Sequence, residues 1–402
     1  MKNTILNYFL KYVKIDTMSK EDTGVIPSTK KQFDLAKVLV EDLKELGIKD
    51  IKLTDNCFVT GILPTNCNSK LHIGFIAHMD TIPGFSGTNV KPNIINNYDG
   101  NIIKLNGIEL NPKQFPFMNN LKGKTLITTD GTTVLGADDK AGIANIMAML
   151  KYYTLNPSIP HVNIHVAFTP DEEIGGGISA FDVKGFGCDF AYTVDGGYYN
   201  EINYENFNAS SCNVTINGLD IHPGSAKGQM KNAALILMEF NSLLPVNERP
   251  EYTDNYDGFN HLCEMNGAVG KATAYYILRN HSLKLLDKQK NDFKNAYDFI
   301  NKKYGNNTCE IEISDSYMNM RELIDKDPRC VIRAKAAIEK LGFNPITSPI
   351  RGGTDGAWLT RMGLNTPNLG TGGYNCHGPY EFACLEEMEN VLNILIEIAR
   401  EE

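Results

Sequence analysis

Ile73-Gly74-Phe75-Ile76-Ala77-His78-Met79-Asp80 is an apolar run that stops on two metal-binding side chains. A short apolar run of this kind reads as a buried strand. Residues two apart in a strand point the same way, so His78 and Asp80 share a face where it ends. Working outward, three more stretches carry acids where a strand runs out. Asp138-Asp139 follow Gly136 and the strand-like Thr125 to Thr128; Glu172-Glu173 follow Val162 to Phe168; Asp195 follows Phe190 to Val194. His377 lies far along the chain in Thr371-Gly372-Gly373-Tyr374-Asn375-Cys376-His377-Gly378.

Singly, each motif has an ordinary explanation. His-x-Asp triplets occur on surfaces by accident. Adjacent acids before a helix act as caps, Glu172-Glu173 and Asp195-Gly196-Gly197 fit plain turns, and a histidine in a Gly-rich loop is often just solvated. The joint pattern decides. In open α/β sheets the C-terminal strand ends line one crevice, so these residues are expected to converge. Two imidazoles with several carboxylates suit a pair of metals. The adjacent Glu172 and Glu173 divide most economically into one ligand and one general base.

The rest of the chain agrees with an α/β layer structure and a mainly parallel sheet. Leu35, Leu39, Leu43 and Leu46 recur at helical spacing up to Gly47. Strands are expected at Ile51 to Thr54 and Phe58 to Leu63, and a helix at Asp139 to Leu150. From about residue 208 the order becomes strand, helix, break, strand, helix, strand, with one more strand expected around Leu262 to Ala268. That order fits a split βαβ, ferredoxin-like α+β unit. Residues 208–316 are therefore expected to form an inserted domain, with 1–207 and 317–402 as the main one. Asp327-Pro328 opens a helix that Gly342 closes, and Leu385 to Arg400 forms the last.

With 402 residues, two domains are the expectation. A net charge of -9 argues against nucleic-acid binding, which wants clustered Lys and Arg. No apolar run approaches a membrane span. Met1 to Asp16 shows no apolar core of a secretory signal. Nine irregularly spaced cysteines without a Cys-x-x-Cys read as reduced thiols, so a cytoplasmic enzyme is expected. Cys376 beside His377 leaves a thiol nucleophile as an alternative.

The chain resembles the tripeptide aminopeptidases of the M20 metallopeptidase family. The resemblance runs through His78-Met79-Asp80, Leu135-Gly136-Ala137-Asp138-Asp139-Lys140-Ala141-Gly142, Phe168-Thr169-Pro170-Asp171-Glu172-Glu173, and Tyr192-Thr193-Val194-Asp195-Gly196-Gly197. It continues through Glu205-Asn206-Phe207-Asn208-Ala209, His222-Pro223-Gly224, Pro349-Ile350-Arg351-Gly352-Gly353-Thr354-Asp355-Gly356 and Thr371-Gly372-Gly373-Tyr374-Asn375. It implies a zinc-peptidase-like catalytic domain with an inserted lid, and two zinc ions per subunit. His78 and Asp195 would hold one ion, Glu173 and His377 the other, with Asp138 bridging. Asp80 would orient His78, and Glu172 would be the general base. His222, Arg279 and Arg351 would contact the tripeptide. The resemblance is compatible with a homo-oligomer. An amidase or carboxypeptidase acting on acylated amino acids or dipeptides is the alternative on the same scaffold. Two positions depart from the family: Asn280-His281 follow Arg279 where Asp is commoner, and Pro83-Gly84 stands for Pro-Asp.

Overall fold

The protein is described by a computed structural model that covers residues 1–401. It separates into two compact units. One comprises Met1–Tyr204, Arg321–Ser348 and the residues from Thr354 onward, the other Glu205–Met320 with Pro349–Gly353.

The first unit is built on a seven-stranded sheet. Its spatial order is Lys49–Leu53, Val59–Leu63, Asn163–Thr169, His72–His78, Phe190–Gly196, Asn368–Gly370 and Ile202–Asn203. The four middle strands run parallel and the flanking ones antiparallel. The centre explains the apolar runs: all of Ile73–His78 and of Ile164–Thr169 is buried. Covered on both faces, these strands cannot alternate. The helix Ala137–Leu155 is buried along most of its length, packed against strand His72–His78 and helices Lys2–Tyr12 and Leu385–Ala399. Ile76, Ala167 and Ala191 meet Phe181, Phe186 and Leu359 in a second cluster.

Thr125 to Thr128 does not belong to this sheet. The strand Leu126–Thr128 lies between Phe382–Cys384 and Asn93–Ile95 in a separate four-stranded sheet. Tyr98, Leu110, Met118, Tyr374 and Phe382 form its core. A run of two apolar residues and a threonine shows that a strand exists, but its partners come from other parts of the chain.

The second unit is a four-stranded antiparallel sheet ordered Phe259–Gly267, Lys271–Asn280, Asn208–Asn217, Cys309–Asp315. Alternate side chains of Lys271–Asn280 are buried, as a sheet covered on one face requires. Helices Ala233–Leu243 and Leu283–Tyr304 supply the cover, with Leu237, Phe240, Phe293 and Ile300 packing on Val214, Ile216 and Tyr276. Both helices start where the sequence says they should. Asn232 accepts from the Leu235 N–H, and Ser282 from the Leu285 N–H. Pro349–Gly353 joins this unit through the Ile350 N–H, which donates to the Glu205 carbonyl.

Candidate metal centre

Four of the expected residues come from the ends of three neighbouring parallel strands. His78 is the last residue of the central strand, Glu172 and Glu173 lie just past the end of Asn163–Thr169, and Asp195 lies near the end of Phe190–Gly196. Asp138 arrives differently from its sequence expectation. It sits at the start of the helix Ala137–Leu155 with non-helical φ -84 and ψ 105, not at a strand end. His377, at φ 69, lies in the loop between the short strands Gly373–Tyr374 and Phe382–Cys384.

These five loops meet. Asp138 Oδ1 is 2.8 Å from His78 Nε2, and Asp138 Oδ2 is 3.1 Å from His377 Nε2. His78 Nε2 is also 3.5 Å from Asp195 Oδ1, and His377 Nε2 3.0 Å from Glu173 Oε2. Each imidazole thus turns Nε2 toward two carboxylates, and Asp138 gives one oxygen to each. Donor atoms of His78, Glu172 and Asp195 lie within 4.8 Å of one another, as do those of His78, Asp138 and Glu173. Nitrogen and carboxylate oxygen at these spacings are a fitting donor set for divalent cations. Glu172 is therefore close to the His78–Asp195 end of the cluster, where a base acting on water must be.

Asp80 has more partners than its position suggests. His78 Nδ1 is 3.1 Å from the Asp80 carbonyl and 3.4 Å from its Oδ1. The two carboxylate oxygens also accept the backbone N–H groups of Glu172 at 3.0 Å and Glu173 at 3.2 Å. One buried acid therefore aims an imidazole and holds the turn that carries both glutamates.

The electrostatics are those of an acid-rich, buried pocket. Burial first, then the neighbouring Asp195, push the Glu172 carboxyl well up. Burial also pushes Asp195 up to about 7, with Asp138 adding to it. Asp138 goes the other way: burial opposes its charge, but bonds to His377 and His78 hold its carboxyl below the usual range. The bonds to Asp138 and Glu173 raise His377 to about 10. Burial opposes a charge on His78, yet Asp195, Asp138 and Asp80 together raise its pKa. Protons here occupy positions that a cation would take, so loading metal should release them.

Four further acids surround the cluster without any signal of their own in the sequence. Asp139 accepts the His78 N–H at 3.2 Å and the Gly142 N–H at 3.1 Å. Asp171 accepts from Ser28 and Gln32. Asp355, 5 % exposed, accepts from the Thr169 hydroxyl at 2.9 Å. Glu381 accepts three backbone N–H groups around Asp138. Cys376 reaches the surface as a residue. Burial of its thiol, with Asp138 and Glu381 adding to it, pushes that thiol well up, the opposite of what a nucleophilic thiolate needs.

The remaining expected residues lie in the second unit. The Arg279 guanidinium stands over the Tyr317 ring and donates to the Ser210 and Leu278 carbonyls. Arg351 stands over Phe207 and Phe259, and donates to the Asn255 and Asp257 carbonyls and the Thr253 hydroxyl. Phe259 pairs with Arg279 across the sheet, so the two arginines share one end of it. His222 is exposed and lies beyond the other end of Asn208–Asn217, a strand about 30 Å long. The sheet thus brings the arginines together and sets His222 apart.

The chain is similar to known proteins along nearly its whole length. The model of peptidase family M20/M25/M40 matches residues 134–401. A peptidase T of Alkaliphilus oremlandii is 50% identical over 99% of this chain and 98% of its own. A peptidase T of Caldanaerobacter subterraneus is 50% identical over 98% of this chain and 97% of its own. The fold is shared with an aminopeptidase PepT from Bacillus cereus at a TM-score of 0.79 and 22% identity, covering 99% of this chain and 98% of that one. A dinuclear metal-binding M20 peptidase from Bacillus subtilis superposes with a TM-score of 0.67 at 13% identity, covering 99% and 97%. With end-to-end identity of this order and a family match that spans the Asp138, Glu172, Asp195 and His377 loops, the chain belongs to the peptidase family M20/M25/M40 and is a hydrolase.

Proposed function

We propose that this chain is a tripeptide aminopeptidase that releases the N-terminal residue by attack of an activated water. The observation that carries the reading is the Asp138 carboxylate, which faces His78 with one oxygen at 2.8 Å and His377 with the other at 3.1 Å. His78 and Asp195 would hold one divalent cation and Glu173 and His377 the other, with Asp138 between them; the pair, zinc in this reading, supplies Lewis acidity to water and to the scissile carbonyl.

The chain's own residues do the rest. Glu172 takes the proton of the attacking water on its carboxylate and delivers it to the leaving amine. Burial and the neighbouring Asp195 raise its pKa, which strengthens it as a proton acceptor. Asp80 keeps that carboxylate in place through the Glu172 N–H and keeps His78 turned through Nδ1. Arg279 and Arg351 are proposed to hold the free carboxylate of the tripeptide, a task the forked guanidinium suits. His222 is proposed as a separate donor to the reacting carbonyl.

Support for a tripeptide substrate comes from relatives about 50% identical that are named peptidase T. A reducing cytoplasmic setting is supported by nine unpaired cysteines. Among the described residues no helix is long and apolar enough to cross a membrane.

The test is a substrate panel with chelation. Free tripeptides should be cleaved, tripeptides with a blocked amine should not, and a chelator should abolish activity that added zinc restores. Cleavage of N-acylated amino acids in preference to free tripeptides would replace this reading with the amidase or carboxypeptidase one. Sensitivity to alkylation without sensitivity to chelation would point to Cys376.

A further inference from the structure

We infer that Glu381 is a positioning residue that locks the His377 loop to the Asp138 loop, so that two of the three residues facing the second cation, His377 and Asp138, are placed by one carboxylate; this rests on the metal reading above. Glu381 is 1 % exposed. One of its oxygens accepts the Leu135 N–H at 2.7 Å and the Gly136 N–H at 2.8 Å, and the other accepts the Asp138 N–H at 3.0 Å.

Asp138 needs such an anchor. It stands at a helix start, where backbone N–H groups have no partner within the helix, and its own φ/ψ is not helical. Gly136, at φ 77, provides the left-handed turn that brings three donors round to one acceptor. A carboxylate offers only acceptors on both oxygens, so it suits three converging N–H groups, and they in turn compensate its burial. Glu381 follows His377 by four residues on the same loop. The bonds that fix the Asp138 backbone therefore also fix how far His377 can move from the 3.1 Å contact with Asp138 Oδ2. Ligand distances tolerate about 0.2 Å, so a loosened loop costs affinity even when every ligand remains.

The arrangement recurs around the centre. Asp139 holds the His78 N–H, Glu381 holds the Asp138 N–H, and Asp80 holds the Glu172 and Glu173 N–H groups. The turns of His78, Asp138 and the two glutamates are thus each anchored by an acid, whereas the Asp195 N–H donates to the Asn368 side chain. Glu381 is the one that reaches across from the small-sheet loop.

The experiment uses the full chain and two variants, Glu381→Gln and Glu381→Asp, with Asp42→Asn as a control. Asp42 is a buried carboxylate bonded to Tyr12 and Lys11, apart from the centre. Zinc affinity and stoichiometry are measured by competition with a chromophoric chelator, and coordination by the cobalt(II) absorption spectrum. Wild type should bind two ions. Glu381→Gln turns an amide NH₂ toward a backbone N–H, and should weaken one of the two sites by about 10–100-fold and change one cobalt band. Glu381→Asp keeps two acceptor oxygens and should recover part of that loss. Asp42→Asn should lower Tm without moving zinc affinity.

Wild-type affinity and spectrum in Glu381→Gln would overturn the inference, as would an equal loss in Asp42→Asn. Should Glu381→Gln fail to fold, unchanged affinity in Glu381→Asp overturns it in the same way. Fewer than two zinc ions on wild type would instead sink the metal reading itself.

Discussion

Asp138 and Glu172 are both half-buried acids, yet their surroundings push them in opposite directions. Asp138 meets an imidazole on each oxygen and stays charged, as a bridge between cations must. Glu172 meets mainly other acids and apolar cover, which favour its protonated form. Replacing Glu172 with Ala should leave both metals bound and lower kcat by about 10²–10⁴-fold. Metal analysis beside tripeptide kinetics checks this, and near-normal turnover rejects Glu172 as the base. For Arg279 or Arg351 changed to Ala, KM for a free tripeptide should rise about 10–100-fold, the range of a lost hydrogen bond to a charged group. A C-terminally amidated peptide should show little difference between variant and wild type, because it lacks the partner charge. At this scale the side chains that meet at the candidate centre were readable because their residue types are few and their order along the chain is specific. Asp139, Asp171, Asp355 and Glu381 were not, since an acid that accepts backbone N–H groups looks in sequence like any turn acid.

The helix Ala137–Leu155 carries the bridge into the core, and its first turns press hard on the central sheet. A Cβ on Gly142 would fall 1.9 Å from the Val194 carbonyl oxygen and 2.4 Å from Asp139 Oδ1. Gly142→Ala should therefore destabilise the fold by roughly 3 kcal/mol or more, seen as a lower Tm and weaker zinc binding, because the helix start must move. At the other end of the central strands His165 lies 4 % exposed, its Nε2 2.8 Å from His72 Nδ1. Burial, then repulsion from His72, lowers the His165 pKa to about 4. The unfolded chain, near 6.5, then binds more protons between pH 6.5 and 4. Stability from this residue is complete above pH 6.5 and is lost as pH falls toward 4. Metal-free wild type should lose on the order of 1–3 kcal/mol more than His165→Gln over that window, measured by denaturant unfolding. Elements with strong periodicity or caps, such as Leu283–Tyr304 behind Ser282, were legible within a residue or two. The strand Leu126–Thr128 was legible as a strand but not as part of its sheet. A hydrogen-bond partner as distant in sequence as Phe382–Cys384 leaves no mark on so short a run.

Across the first unit, the centre ties together three strand ends, one helix start and one loop of the small sheet. Cations that bind the folded chain alone should raise its stability by mass action, about 3 kcal/mol at a hundredfold excess over Kd. Thermal unfolding with zinc or with chelator measures this. Hydrogen exchange should show the protection concentrated in the Asp138, Glu172 and His377 loops, and equal exchange with and without zinc would contradict it. The sequence by itself determined the α/β class, the strand-helix order of the second unit and which side chains gather at the candidate metal centre. Those follow from local periodicity, capping chemistry and the few side chains that bind cations. Only the tertiary structure decided that Leu126–Thr128 joins the small sheet, that Arg351 lies with Arg279, and that acids such as Glu381 accept backbone N–H groups of the turns at the centre. These depend on backbone groups meeting side chains across long sequence separations, where the energy lies in geometry and not in residue type.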